Sequence, residues 1–199
     1  MELINNTSKT LKDDLSVEIK KGSKLSIAAA CFSIYAFQEL KKQLTSIEEL
    51  RFIFTSPTFV AEKTKKEKRE FYIPRLNRER SLYGTEFEIK LRNEMTQKAI
   101  AKECADWIKE KVTFKSNISD KTIQGQLVVD DTGYTPINNF TTVELGCEKG
   151  NVISTTIVKD QSLAQTLIRD FNEIWNDKKV LQEVTDEVVE SITAAYNEN

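Results

Sequence analysis

The sequence predicts an α/β protein in which a mixed β-sheet is flanked by helices, with further helices at the C-terminal end. Short apolar runs rich in β-branched residues are bounded by Gly, Ser and Pro, as is typical of buried strands. Longer segments with apolar residues at helical spacing lie between these runs and after them. A strand, a helix and a strand in close succession form a βαβ unit, which implies a parallel strand pair covered by a helix.

The βαβ unit lies between Lys24 and Pro57. Residues 24–32 are a short apolar run after a Gly-Ser breaker, and residues 49–57 are a second run that ends at Ser-Pro. Between the two runs, apolar side chains recur at helical spacing after Ser33, which is predicted to be the N-cap. These apolar residues are Ile34, Phe37, Leu40 and Leu44. The aromatic residues expected in the core are Phe32, Tyr35, Phe37, Phe52 and Phe54.

The remaining elements follow the same two patterns. Residues 60–84 lack a clear period and predict an insertion or connection, whereas residues 89–112 predict an amphipathic helix. The apolar face of that helix carries Ile100, Cys104, Trp107 and Ile108. Strands are expected within residues 112–117, 122–131 and 151–160, and helices within residues 162–177 and 185–199. Candidate caps of these last helices are Asp160 or Ser162, and Thr185.

The composition excludes several classes of protein. The chain has 199 residues, 39% of them hydrophobic and 30% charged, as expected for one globular domain. No apolar run approaches the roughly 20 residues that span a bilayer, and the polar N-terminus lacks a signal peptide's apolar centre. A cytoplasmic protein without membrane contact is therefore expected.

Metal and imidazole chemistry have little support in the sequence. Cys31, Cys104 and Cys147 have neither metal-ligand nor redox spacing, so they are interpreted as reduced thiols and no metal is expected. The chain contains no histidine, the side chain most used for acid–base work near neutral pH. Any chemistry proposed for this protein must proceed without an imidazole.

Charge is distributed unevenly along the chain. Residues 62–80 contain eight basic and four acidic side chains, whereas residues 170–199 contain two basic and eight acidic ones. The eight cations are Lys63, Lys65, Lys66, Lys68, Arg69, Arg75, Arg78 and Arg80. Phe71, Tyr72 and Tyr83 lie among or just after them, and cations with aromatic rings are typical of a nucleic-acid contact. The interspersed acidic residues are equally compatible with a solvated loop, so both interpretations stay open.

A resemblance to a known family extends over most of the chain, from Leu25 to Asp177. It is carried by the segments "LSIAAACFSIYAFQELKKQL", "ELRFIFTSPTF", "IQGQLVVDD", "INNFTTVELG" and "FNEIWND". In this order and spacing they resemble the phospholipase D-like domain at the N-terminus of bacterial superfamily-two helicases of the Swi/Snf or DEAD/DEAH type. The resemblance implies a phospholipase D-like mixed sheet flanked by helices. In catalytic members of that superfamily, two copies of a His-x-Lys-x4-Asp and Gly-Ser-x-Asn signature meet in one site.

The reactive residues of that signature are replaced in this sequence. Gln124 stands at the histidine and Gln126 at the lysine, whereas Asp131 and Asn139 match the aspartate and the asparagine. In the family the histidine is the nucleophile, and a neutral Gln amide cannot take its place. Loss of the lysine removes the cation that would hold a phosphoryl oxygen. The resemblance therefore implies a degenerate site without catalytic residues, and no cofactor.

Two further positions depart from the signature, and ordinary structural roles compete with functional ones. Pro136 and Ile137 stand where the family has Gly and Ser. The two Gln residues alternate with Ile, Gly and Leu, which is the pattern of a half-buried strand. Residues 131–133 are expected to form a turn, and Asn139 to satisfy local backbone groups. A polar pocket that binds phosphate without cleaving it is the alternative.

The resemblance implies a non-catalytic helicase domain that contributes nucleic-acid binding or assembly. An ATP-dependent motor would lie downstream of this chain, because the sequence contains no Gly-x4-Gly-Lys-Ser/Thr loop. Residues 1–178 are assigned to the phospholipase D-like domain, and residues 179–199 to a C-terminal helical segment that leads into that downstream region. Two alternatives stay open: a phosphodiesterase or nuclease with a non-standard site, and a dimerisation or protein-docking module. Paired half-sites also make a homodimer a candidate assembly.

Overall fold

A single mixed β-sheet organises the part of the chain that the computed structural model describes, namely residues 1–57, 94–148 and 155–197. Its strands are β1 (Glu2–Ile4), β2 (Lys24–Ala29), β3 (Glu49–Phe54), β4 (Val112–Asn117), β5 (Gln126–Val129), β6 (Thr132–Thr135), β7 (Ile157–Asp160) and β8 (Leu181–Glu183). The spatial order is β1-β7-β6-β5-β2-β3-β4-β8. Strands β2, β3 and β4 are parallel, and the other neighbouring pairs are antiparallel. The predicted α/β class, with a mixed sheet flanked by helices, is confirmed.

Helices cover both faces of the sheet. The helices are α1 (Leu11–Glu18), α2 (Ile34–Glu39), α3 (Lys41–Leu44), α4 (Glu94–Lys111), α5 (Gln161–Trp175) and α6 (Thr185–Asn197). Alternate residues of a strand point to opposite faces, so Phe52 and Phe54 enter the larger core while Ile53 lies on the other side. There Ile53 packs against Phe171 of α5. No helix within the described residues is both long and apolar enough to cross a membrane.

The predicted βαβ unit is present, with the N-cap and the parallel strand pair that the sequence predicts. The Ser33 hydroxyl accepts hydrogen bonds from the backbone N–H groups of Tyr35 and Ala36, as an N-cap does. Strand β2 pairs in parallel with β3 from Lys24 to Ala29. The pattern of residues 33–44 predicts one helix, but the structure divides it at Leu40 into α2 and α3, because the backbone there departs from helical geometry.

Aromatic side chains fill the centre of the larger core, as the sequence predicts. The ring of Phe32 meets the rings of Phe52 and Phe114 edge-on, with centroids 5.7 and 5.2 Å apart. Phe37 packs against Trp107 of α4 at 4.8 Å, and the Trp107 indole N–H donates to the carbonyl of Leu44. Edge-to-face rings add to the stabilisation that their burial provides. These contacts fix α2 and α4 on the same face of the sheet.

The C-terminal part of the chain is integrated into this sheet. Residues 181–183 form β8, which pairs antiparallel with β4, and α6 packs against α4. Thr185, expected to be an N-cap, is the first residue of α6, and its hydroxyl accepts from the backbone N–H of Phe114 at 2.9 Å. The segment expected to be purely helical, residues 179–199, therefore begins with a strand, and the domain division itself stays a prediction.

A buried ionic cluster joins the N-terminal helix to the far side of the sheet. The Asp14 carboxylate accepts from the Tyr134 hydroxyl at 2.5 Å and from Lys159 Nζ at 3.1 Å. Lys159 also donates to Glu18 at 2.8 Å. Burial and the hydrogen bond to Asp14 raise the pKa of Tyr134. Neither α1 nor β1 was predicted, because both depend on these partners from distant parts of the sequence.

Candidate functional site

A cleft of about 560 Å³ opens where strands β2 and β3 end. Its lining residues are Ala30, Thr55, Ile123, Gln124, Gly125, Pro136, Ile137, Asn138 and Asn139. Ala30 directly follows β2 and Thr55 directly follows β3, so the cleft lies at the carboxyl ends of two parallel strands. Ligands of open α/β sheets characteristically bind at that end. The cleft is therefore the candidate functional site of the described residues.

Close packing at Gly125 shapes one wall of the cleft. A Cβ atom at this position would lie 1.4 Å from the Ile137 carbonyl oxygen, so no side chain fits. The Ile137 N–H donates to the Gly125 carbonyl at 3.3 Å, and the Ala30 N–H donates to the Asn138 carbonyl at 2.9 Å. Residues 136–139 are thus held between the end of β2 and the segment that enters β5.

The Glu144 side chain supports the same wall from behind. Its carboxylate accepts from the Asn138 backbone N–H at 2.8 Å, and the Asn139 N–H also donates toward it. Burial raises the pKa of Glu144, while these two N–H groups act in the opposite direction. The Asn6 side chain donates to the Glu144 carbonyl at 2.7 Å and fixes this residue in turn.

The opposite wall is held by Asn117, a buried residue at the end of β4. Its side-chain amide donates to the Thr55 carbonyl at 2.9 Å and to the Lys121 carbonyl at 2.8 Å. The Asn117 side-chain oxygen accepts from the Ser119 N–H at 2.8 Å. The end of β3 and the segment that leads to Ile123 are therefore connected through one amide.

Two of the four signature positions come together in the cleft, and two do not. Gln124 and Asn139 both line the cleft. The Gln126 amide donates instead to the Leu167 carbonyl of α5 at 3.1 Å. Strand β5 begins only at Gln126, so the two-residue period of a strand does not extend to Gln124. Asp131 is exposed in the turn between β5 and β6, outside the cleft.

The predicted turn at this place is shifted by one residue. Asp130 has a φ of 52°, in the left-handed region. Its carboxylate accepts hydrogen bonds from the Ser23 hydroxyl and from the Lys24 backbone N–H. Thr132 and Gly133, expected in the turn, belong to β6. The turn is therefore formed by residues 130 and 131, whereas the sequence predicts it at residues 131–133.

The predicted nucleic-acid contact cannot be placed in this geometry. All eight cations from Lys63 to Arg80 lie outside the described residues. Their assignment stays a prediction that rests on the sequence.

The chemical groups that line the cleft are uncharged. They comprise three side-chain amides, one hydroxyl and several apolar side chains. No lining residue in the described part of the chain carries a nucleophile with a basic partner, a cation or a carboxylate. Such a surface can donate and accept hydrogen bonds, but it offers no group for general acid–base or covalent catalysis near neutral pH.

Two of the three cysteines, Cys104 and Cys147, do not change this conclusion. Burial raises the pKa of Cys147 to about 11 and that of Cys104 well above its usual value. The thiolate is the nucleophilic form of cysteine, so both side chains are held in the unreactive form. Within the described residues, no three acidic or cysteine side chains converge as the ligands of a metal ion would.

Sequence reasoning missed the residues that shape the cleft. Gly125 interrupts an otherwise strand-like segment, and an isolated Gly in such a pattern signals close approach of another backbone. That signal could have identified it. Glu144 and Asn117 act through contacts between distant or irregular segments, and nothing in their local sequence indicates those contacts.

Comparisons with known proteins leave the chain without a family assignment. No protein-family model matches it, and no curated protein sequence matches it either. Among solved structures, phosphatidylserine synthase from Haemophilus influenzae Rd KW20 is 12% identical, with a TM-score of 0.49 over 98% of this chain and 44% of the other. TrmBL2, an archaeal chromatin protein with a novel mode of DNA binding, is 11% identical, with a TM-score of 0.41 over 92% and 52%. The chain spans about half the length of these structures, and likeness at this level carries no argument about function.

Proposed function

We propose that this chain is a non-catalytic phospholipase D-like domain of a cytoplasmic DNA or RNA helicase, and that it contributes nucleic-acid binding or assembly. One observation carries the proposal. The histidine and asparagine positions of the phospholipase D-like signature, Gln124 and Asn139, line the same cleft at the carboxyl ends of β2 and β3. That two of the four signature positions meet in one cleft with neutral side chains supports the proposal.

Loss of catalysis follows from the chemistry of those side chains. An amide has no basic lone pair with which to attack phosphorus, and it cannot neutralise charge on a phosphoryl oxygen. Gln126 stands at the lysine position, and its amide is engaged with Leu167 outside the cleft. The ATP-dependent motor of such a helicase would be encoded downstream of Asn199, and motor motifs in that reading frame would support the proposal.

The nucleic-acid part of the proposal rests on charge. The basic stretch begins at Lys63, eight residues after Thr55, which lines the cleft. A stretch with eight cations and four acidic residues can neutralise several phosphates and release their counterions. Binding of this kind depends little on the nucleotide sequence and strongly on the salt concentration.

The absence of hydrolysis is the first test. The purified chain is expected not to cleave a chromogenic phosphodiester, single-stranded DNA or double-stranded DNA in the presence of a chelator. Installing Gln124→His together with Gln126→Lys is expected not to restore cleavage, because Gln126 does not line the cleft. Turnover that persists on repurification and is lost in Gln124→Ala would establish the alternative, a phosphodiesterase with a non-standard site.

Salt dependence of DNA binding is the second test. Fluorescence anisotropy on a short duplex is expected to give a log–log slope of roughly −0.9 for each phosphate contacted. Replacing Lys65, Lys66, Lys68 and Arg69 with Ala is expected to flatten that slope by several units without changing the melting curve. The control variant replaces four exposed lysines of the described residues, Lys20, Lys21, Lys42 and Lys109. Equal slopes in the two variants would favour the dimerisation or docking module, which sedimentation of the wild-type chain would then test.

A further inference from the structure

We propose that the cleft binds an unpaired nucleobase through its side-chain amides and does not bind phosphate. The inference rests on the proposed nucleic-acid function and gives the cleft a specific part in it. The cleft would receive one unpaired base of a bound strand.

Anions are disfavoured in the cleft for three reasons. No cation lines it within the described residues. The backbone donors of its wall are already engaged, since the Asn138 and Asn139 N–H groups point to Glu144 and the Phe140 N–H donates to the Cys31 carbonyl. The half-buried Glu144 carboxylate directly behind that wall adds negative charge. Phosphate sites in proteins depend on cations or on free backbone N–H groups. The described lining has no cationic side chain, and the N–H groups of residues 137–140 are already used.

The amides that line the cleft are available for a ligand. The side chains of Gln124, Asn138 and Asn139 accept no hydrogen bond from, and donate none to, any group in residues 1–57, 94–148 and 155–197. An amide presents a donor and an acceptor side by side. Asn and Gln use this pair to bind the hydrogen-bonding edge of a base, most often adenine. Neighbouring amides in one cleft can therefore hydrogen-bond to the donors and acceptors along one edge of a base.

The apolar lining suits the flat faces of a ring. Ala30, Ile123, Pro136 and Ile137 contribute apolar surface between the polar groups. Small-molecule sites commonly combine a mostly apolar surface with a few polar groups in a volume of roughly 300–1,000 Å³. A cleft of about 560 Å³ lies within that range and has room for a base with part of its sugar.

An extended peptide fits the site less well than a base. Peptides that bind to sheets usually add a strand at a free edge. Here β2 lies between β5 and β3, and β3 lies between β2 and β4. The strands beside the cleft therefore have both of their edges paired, and the backbone hydrogen bonds that hold a peptide strand are already made.

The side-chain NH₂ signals of the cleft amides provide a direct test by NMR. Nitrogen-15-labelled full-length chain is titrated separately with adenosine, cytidine, guanosine and uridine, none of which carries a phosphate. Inorganic phosphate, a blocked asparagine dipeptide and a single-stranded oligonucleotide are titrated in parallel. We expect one or more nucleosides to shift the NH₂ signals of Gln124, Asn138 and Asn139 at both low and high salt. Phosphate is expected to leave those signals in place.

A matched pair of variants identifies the contact. Gln124→Ala is expected to weaken nucleoside binding by about tenfold, the effect of losing one good pair of hydrogen bonds. Gln165→Ala removes another exposed Gln, on α5 and outside the cleft, and is expected to leave nucleoside binding unchanged. Both substitutions are at exposed positions, and the backbone spectrum reports that each variant is folded.

The possible outcomes separate this inference from the proposed function. Cleft signals that respond to phosphate or to the dipeptide, and not to nucleosides, would overturn the base site. Salt-dependent oligonucleotide binding that leaves the cleft signals unmoved would overturn the base site while supporting the proposed function. A chain that binds neither nucleosides nor oligonucleotides would overturn both.

Discussion

Replacing Gly125 with Ala tests whether backbone packing maintains the cleft. The added Cβ would lie 1.4 Å from the carbonyl oxygen of Ile137, 2.7 Å from its carbonyl carbon and 3.2 Å from the carbonyl oxygen of Ala28. All three are backbone atoms, so no side-chain rotation can relieve the clash. Residues 136–139 must move away from the end of β2, and the cleft must change shape.

The expected loss of stability can be worked out from the contacts at this position. Displacement of the loop breaks the Ile137-to-Gly125 and Ala30-to-Asn138 backbone hydrogen bonds. At about 1 kcal/mol for each bond and about 1–3 kcal/mol for overpacking, the free energy of unfolding should fall by about 3–5 kcal/mol. Gly22 is the matched control, because it has a φ of +81° and nothing within 4 Å of its added Cβ. Its substitution by Ala incurs left-handed backbone strain alone, about 1–2 kcal/mol.

Urea unfolding of both variants measures the two costs on one scale. We expect the Gly125→Ala midpoint to lie well below that of Gly22→Ala, with the amide signals of Asn138 and Asn139 displaced only in the former. Equal midpoints, or unmoved Asn138 and Asn139 signals in Gly125→Ala, would refute the argument that the Ile137 carbonyl occupies the space of a side chain.

Two further substitutions test the electrostatics. Lys159→Ala removes the closer of two cations beside the buried Asp14 carboxylate, at 3.1 Å, and leaves Lys9 at 3.7 Å. It should cost about 2–3 kcal/mol in chemical unfolding, whereas Lys24→Ala removes an exposed pair at 3.8 Å and should cost about 0.5 kcal/mol or less. Similar costs would contradict a stabilising role for the Lys159–Asp14 pair. Burial raises the pKa of Glu144, so the folded state binds the proton more tightly than the unfolded state does. The stability that this protonation contributes is complete below the ordinary pKa of 4.5 and is lost as pH rises through the folded-state pKa. Glu144→Gln keeps an acceptor for the Asn138 N–H but does not titrate, so its free energy of unfolding should rise relative to wild type between about pH 4 and pH 7. Denaturation at several pH values measures this. A difference between the two proteins that stays constant with pH would contradict the raised pKa.

Local chemistry explains which elements could be predicted. The Ser33 and Asp160 caps depend on hydrogen bonds to residues two or three positions away, so a short window of sequence contains the whole signal. Strand β1 has three residues and exists because it pairs with β7, about 150 residues later. No window of sequence contains that partner, and propensity alone does not support so short a strand.

The same distinction applies to the candidate site. The spacing of the family signature identified Gln124 and Asn139, because both positions can be counted along the sequence from the pattern of the signature. The spacing also suggested that Gln126 faces the site with Gln124, but Gly125 and the late start of β5 break the strand period between them. The role of the Glu144 carboxylate could not have been predicted, since it depends on the fold of the loop that places Glu144 beside the Asn138 N–H.

The pairing of β1 with β7 has a consequence for biosynthesis. A nascent chain emerges N-terminal end first, at roughly 5–20 residues per second, so β1 and α1 leave the ribosome roughly 10–30 seconds before β7 and Lys159 are made. Throughout that interval strand β1 lacks its partner, and Asp14 lacks Lys159, the closer of its two cations. The parallel strands β2, β3 and β4 can assemble earlier. Substitutions in β7 should therefore reduce the yield of folded chain in cells more than its stability after folding would suggest.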